Sequence, residues 1–286
     1  MKTTETEREI YLKCKDHSVS GESFVLYHNE TYDMLETFPQ PKPNELSRYY
    51  ETEDYISHTD ARKSFIDKLY QAIKNFTLKR KLRLIDSFNT EDKTLLDIGC
   101  GTGDFLVTCS NMGWKVSGVE PSEKARSMAA NKLTLSDGLY ADLPETDQQY
   151  DVITLWHALE HIIDLDKQID FLKKHLKPSG YILVAVPNFK SYDAKHYKSF
   201  WAAYDVPRHL WHFSKTSIAK LFSEKQLQLV KTKPMLFDSF YVALLSEKYK
   251  KGKQHLFKAF FIGLRSNMAA WRTKEHSSVI YILKHG

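Results

Sequence analysis

The sequence predicts an α/β protein on a mostly parallel sheet, and three features predict it. Short apolar runs rich in β-branched residues alternate with stretches of helical periodicity. Thr94 to Leu106, TLLDIGCGTGDFL, reads as strand, glycine loop and helix in immediate succession. The chain also ends on an apolar strand, Ser277 to Leu283 (SSVIYIL), expected to run antiparallel to the rest.

At 286 residues and 42% hydrophobic, the chain can bury one good core and carry an appended subdomain without staples. Cys14, Cys100 and Cys109, odd in number and scattered, build no disulfide framework and suit a reducing compartment. No apolar run approaches the roughly 20 residues that span a bilayer, and the opening MKTTETEREI lacks a signal-type apolar segment. A cytoplasmic, soluble protein without a membrane partner is expected. The net charge of +5 is mild, with basic residues grouped at Lys74, Lys79, Arg80, Lys81, Arg83 and at Lys248, Lys250, Lys251, Lys253. Neither group carries a recognised nucleic-acid motif, so solvated faces are the simpler reading and nucleic acid is not the expected partner.

Taken in order, residues 1–88 form an N-terminal cap and helical lid, and 89–286 the main domain. Ser23 to Tyr27 alternates like a strand, and Pro39, Pro41 and Pro43 end regular structure after it. Cys14, His17 and His28 raise the possibility of a zinc knuckle, but no second cysteine pair completes four ligands, so no metal is expected. From Leu46 to Phe88 the pattern is helical, with Phe65, Leu69, Ala72, Ile73 and Phe76 at three and four residue steps. Tyr49, Tyr50, Tyr55 and His58 are its polar and aromatic residues to watch.

After the glycine loop, a helix reaches Met112, Lys115 to Val119 is a strand ending at Glu120, and Ser122 caps a helix to Asn131. A short third strand is expected near Leu133 to Leu139, a fourth at Tyr150 to Trp156 and a fifth at Tyr181 to Val186, the last two flanking a helix from Asp164. Asn188 to Phe213 is too long for a tight connection and is rich in aromatics and histidine, as binding loops are. Ser214 caps a helix, Leu227 to Lys231 is a sixth strand, and 234–276 is a helical insertion before the final strand.

The glycines Gly99, Gly101 and Gly103 fall at every second position, with Asp97 inside the strand. The dinucleotide fingerprint G-x-G-x-x-G needs the third glycine one position later, so the spacing argues against NAD. An acidic residue followed by G-x-G-x-G at the end of a first strand resembles the class I S-adenosylmethionine-dependent methyltransferases. Further stretches agree in order over residues 94–188. The resemblance implies a Rossmann-like sheet of seven strands with the last antiparallel, and S-adenosyl-L-methionine as cofactor. It assigns Asp97, Gly99, Gly101 and Gly103 to cofactor binding, Glu120 to the ribose hydroxyls, and Asp142 and Leu143 to the adenine. His157 begins the segment His157, Ala158, Leu159, Glu160, His161, similar to the Leu-Glu-His strand exit of small-molecule methyltransferases, beside the cofactor's methionine end and the acceptor. Asp205 to Leu210 resembles a segment of a bacterial methyltransferase subgroup. Relatives of this type often carry a cysteine-rich N-terminus, of which this one resembles a metal-free version.

Methyl transfer needs an acceptor aligned with the sulfonium and shielded from water, so few catalytic side chains are required. A hydroxyl or protonated amine acceptor gains from a general base, which histidine suits. His161 and His209 are the candidates, with Arg208 as a clamp for an anionic substrate. The expected function is methylation of an oxygen or nitrogen of a small molecule. The second reading is an RNA or protein methyltransferase using the basic groups, whose amino-group version is weakened by the absence of an Asn-Pro-Pro-Tyr-like motif after the fourth strand. A non-catalytic cofactor-binding protein is the third reading.

Overall fold

A computed structural model describes residues 9–50, 65–133 and 138–286. It opens with β1 (Glu9–Lys15), β2 (Ser23–Asn29) and β3 (Met34–Phe38), an antiparallel meander that stops where Pro39 removes a ladder donor. A 3-10 turn at Pro43–Tyr49 follows, then α1 (Phe65–Asp86).

The main sheet is built from β4 (Thr94–Ile98), α2 (Asp104–Ser110), β5 (Lys115–Val119), α3 (Glu123–Lys132), β6 (Leu139–Tyr140), β7 (Tyr150–Trp156), α4 (Leu165–His175) and β8 (Leu176–Pro187). The Asn188–Phe213 connection holds α5 (Tyr192–Tyr197), two 3-10 turns and β9 (Trp211–His212). The chain then runs through α6 (Lys215–Ser223), β10 (Leu227–Pro234), α7 (Asp238–Lys251), α8 (Leu256–Thr273) and β11 (Ser278–His285).

Seven strands pair in the order β10-β11-β8-β7-β4-β5-β6. Only β11 opposes its neighbours, β8 and β10, so the sheet is mostly parallel with an antiparallel final strand, as expected. All of β7 is buried, which suits a parallel strand covered on both faces. One apolar cluster joins α4 and α6 to the sheet, and a second joins α1 and α2 to it. The caps follow the sequence: Ser122, Asp164 and Ser214 each accept an amide of the first turn, and Ser214 forms a reciprocal box with Ser217. The third strand is only Leu139–Tyr140, with residues 134–137 outside the described set.

The N-terminal strands share a second sheet with the long connection. β3 pairs with β9, setting Leu35 opposite His212 and Glu36 opposite Trp211. Thr37 reinforces that seam, its amide donating to the Leu210 carbonyl at 3.0 Å and its hydroxyl to the His209 carbonyl at 2.6 Å. A third apolar cluster, with Cys14, Phe24, Tyr197, Trp201 and Tyr204, fills the space between this sheet, the connection and the α7–α8 hairpin. Cys14 is buried there, which pushes its thiol up to about 12, whereas His17 stacks on Tyr249 and His28 bonds Asp33. No described helix is long and apolar enough to cross a membrane.

Candidate active site

The glycine loop turns on positive φ at Gly99, Gly101 and Gly103 (74°, 55° and 76°), a region that costs most side chains energy. A Cβ at Gly99 would sit 2.8 Å from the Ala158 Cβ, and one at Gly103 2.8 Å from the Ala129 Cβ. Those two glycines are needed for packing. At Gly101 an added Cβ meets nothing within 4 Å, so the middle of the loop is an open cradle.

The amides of Gly99 and Cys100 both donate to the Val119 carbonyl, at 2.8 and 3.1 Å, which ties the loop to the end of β5. Glu120 is thereby set across the cradle, its carboxylate accepting from the amides of Gly101 and Ser122, each at 2.9 Å. Asp97 lies beneath, buried, and accepts from the Thr154 hydroxyl at 2.6 Å. Burial raises its carboxyl to about 7 against the pull of Thr154 and Lys81. Asp142 is exposed in the turn after β6, and Leu143 packs at the edge of the main core.

At the exit of β7, His157 adopts a left-handed conformation (φ 55°) with its amide donating to the Ala185 carbonyl. Its imidazole lies 3.3 Å from Glu160 and 3.0 Å from Asp238. Burial pulls its pKa down, but the bonds to these two acids outweigh burial and raise it to about 10. His157 is therefore an imidazolium bridging the strand exit to the first turn of α7. Glu160 is fully buried; burial would raise its carboxyl, yet His157 holds it ionised, near 2. One oxygen faces His157, and the other, Oε2, has no hydrogen-bond partner among the described residues.

His161 and His209 meet edge to face, ring centroids 4.6 Å apart. His161 Nδ1 lies 3.0 Å from the Arg208 carbonyl and 3.1 Å from the Tyr50 hydroxyl. A carbonyl only accepts, so Nδ1 carries the proton and Nε2 keeps a lone pair. His209 repeats this arrangement, Nδ1 donating to the Ala203 carbonyl at 2.9 Å. Burial first, then the neighbouring His209, lowers His161 to about 4, so this ring is neutral at physiological pH. Glu160, His161 and His209 each offer one ligand atom within 4.8 Å of the others. A carboxylate and two imidazoles could hydrogen-bond a substrate or hold a divalent cation.

Arg208 does not face outward. It is 4% exposed, and its guanidinium donates to Asp16 (2.9 Å), to both oxygens of Asp205 (2.9 and 2.7 Å) and to the Tyr49 carbonyl (2.8 Å). With those contacts made, it pins the connection to the N-terminal sheet rather than offering a free fork to a ligand. Tyr55 and His58 lie outside the described residues.

Two contributors escaped the sequence reading. Lys81, counted in a solvated basic group, lays its ammonium 4.2 Å from the Trp156 ring centroid, and burial lowers it to about 8 despite Asp97. Asp238, an acid in a helix's first turn, reads locally as a dipole partner, and nothing in the sequence links it to His157.

A family described as methyltransferase domain matches residues 65–232. An uncharacterized methyltransferase of Bacillus velezensis is 31% identical over 153 residues, half of this chain and 68% of that protein. A ubiquinone biosynthesis O-methyltransferase of Hydrogenovibrio crunogenus is 29% identical over 125 residues, 39% of this chain and 51% of that protein. The match to an uncharacterized methyltransferase of Oceanobacillus iheyensis likewise spans about half of that protein, 52%. Among solved structures, magnesium protoporphyrin IX methyltransferase from Synechocystis PCC 6803 with bound SAH is similar in fold. Its TM-score is 0.56 at 14% identity, covering 85% of this chain and 100% of that one. The family match takes in the glycine loop, Glu120 and the β7 exit, and extends over more than half of the sequence: the chain belongs to the methyltransferase domain family.

Proposed function

We propose that the protein transfers a methyl group from S-adenosyl-L-methionine to an oxygen or nitrogen of a small-molecule acceptor. The observation that carries this reading is the Glu120 carboxylate held across an open glycine cradle. A carboxylate bonded to two amides is an acceptor placed for a pair of ribose hydroxyls, and the space at Gly101 admits a ligand where a Cβ would stand. In this reading Asp97, Gly99, Gly101, Gly103 and Glu120 line the cofactor's ribose and methionine side, and Asp142 and Leu143 its adenine. His157 acts on that site by fixing the β7 exit. Once bound, the cofactor supplies a methyl carbon already made electrophilic by its sulfonium.

The acceptor then belongs at Glu160, His161 and His209. His161 Nε2, or the adjoining His209 imidazole, can take a hydroxyl or ammonium proton or fix its direction, and the buried Glu160 carboxylate favours a cationic or protonated partner. Arg208 is a positioning residue, because it acts through the backbone carbonyl that orients His161. The small-molecule acceptor is favoured over RNA because Lys81, one of the basic residues an RNA surface would use, is turned onto Trp156.

Calorimetric titration with S-adenosylhomocysteine tests the cofactor reading. Glu120→Ala should weaken binding by about 1.5–3 kcal/mol, roughly 10- to 150-fold, through loss of charge-assisted bonds to ribose. Unchanged affinity, or binding of NAD in its place, would refute it.

A further inference from the structure

The α8 helix has three faces. Ala259, Gly263, Ser266 and Ala270 are buried, and their small size lets α8 approach α7 closely: a Cβ at Gly263 would meet Phe240 at 2.7 Å. A second face is apolar and faces solvent. Phe257 is 85% exposed, Phe261 63% and Trp271 69%, and Phe260, Leu264 and Met268 continue the same stripe at helical spacing. Isolated exposed hydrophobes are ordinary, but a contiguous aromatic stripe marks an interaction surface.

The third face is basic. Lys258, Arg265 and Arg272 recur every seven residues along the border of the apolar stripe, all exposed. From Lys248 to Lys274 the chain carries eight lysines and arginines and no acid. Lys258 pairs with the buried Glu247, an acid from just before this stretch. A second copy docking through the stripe would set these cations against their own kind, with no acid in the segment to answer them. An anionic lipid surface answers both features at once, taking the aromatic rings into its interface and the cations at its headgroups.

We propose that α8 lies in the plane of an anionic membrane surface, its aromatic stripe inserted and its basic border on the headgroups. The helix does not span, in keeping with the lack of any described helix apolar enough to do so. The α7–α8 hairpin is joined to the site through Asp238 and His157, so a docked hairpin holds the acceptor pocket at a fixed height above the bilayer. Peripheral docking departs from the expectation, drawn from the sequence, of no membrane partner. That expectation rested on spanning length, which does not bear on an interfacial helix.

The test is sedimentation of the full-length protein with phosphatidylcholine vesicles containing about 30% phosphatidylglycerol, against pure phosphatidylcholine. The protein should sediment with the anionic vesicles and be released as salt shortens the Debye length. Phe257→Ser, Phe261→Ser and Trp271→Ser combined should lower partitioning by at least about 10-fold at an unchanged melting temperature. If that variant fails to fold, Arg265→Glu with Arg272→Glu, which leaves every ring in place, should produce a loss of similar size. Failure of the wild type to sediment with anionic vesicles overturns the proposal. So does a dimer, seen by light scattering, that the serine variant dissolves while vesicles stay unbound. Neither readout uses methyl transfer, so the result stands apart from the cofactor reading.

Discussion

Replacing Arg208 with alanine is expected to cost about 3–5 kcal/mol of folding stability, the range seen when one partner of a buried ion pair is removed. Asp16 is 1% exposed, and without the guanidinium its carboxylate keeps only the amides of Ser18, Val19 and Ser20 and the Ser20 hydroxyl. Asp205 and the Tyr49 carbonyl lose partners in the same step. Burial alone would raise Asp16, but Arg208 and the local amides hold it down at about 2. A depressed carboxylate contributes stability that is complete above its ordinary value of 3.8 and is lost as pH falls toward about 2. Urea denaturation should therefore show a steep acid limb in the wild type that flattens in Arg208→Ala. A loss under about 1 kcal/mol would place the guanidinium in solvent and restore it as a substrate clamp.

His161→Ala or His209→Ala should lower turnover by roughly 100-fold while leaving S-adenosylhomocysteine affinity nearly unchanged, the pattern of a group that acts on the acceptor alone. In both rings a backbone carbonyl takes the Nδ1 proton, His209 Nε2 lies 4.0 Å from the Asp205 carboxylate, and Glu160 brings an oxygen with no hydrogen-bond partner among the described residues. If the three groups work as a cation site, a chelator should reproduce the loss in the wild type and added divalent metal should reverse it. If they work by proton transfer or hydrogen bonding, the chelator should do nothing. Wild-type turnover in both alanine variants would move the acceptor elsewhere.

The mostly parallel sheet, its antiparallel final strand and the helix caps were legible because their signals are local, and the residues proposed for the cofactor rest on signals of the same kind. The Asp97 to Gly103 spacing, Glu120 at a strand end and the Ser122, Asp164 and Ser214 caps each lie within a few residues of what they act on. The acceptor half depends on pairs far apart in sequence. Arg208 reads as a clamp for an anionic substrate until Asp16, 192 positions away, is seen beside it. The pairing of β3 with β9 turns what resembles a free loop into a sheet edge, and two-residue β9 is too short to announce itself. His157 conceals a left-handed backbone that histidine rarely adopts, and its partner Asp238 lies 81 positions on. Lys81 is hidden for a related reason: charge pattern does not reveal that its ammonium lies over a tryptophan ring.

A crystal structure with S-adenosylhomocysteine bound tests the central claim most directly, through the distances from its ribose oxygens and its sulfur to this chain. The account predicts both ribose hydroxyls on the Glu120 carboxylate, and the sulfur within about 10 Å of Nε2 of His161 or His209, close enough for an acceptor to bridge them. Ribose bound away from Glu120, or a sulfur facing a wall that holds neither histidine, would contradict it.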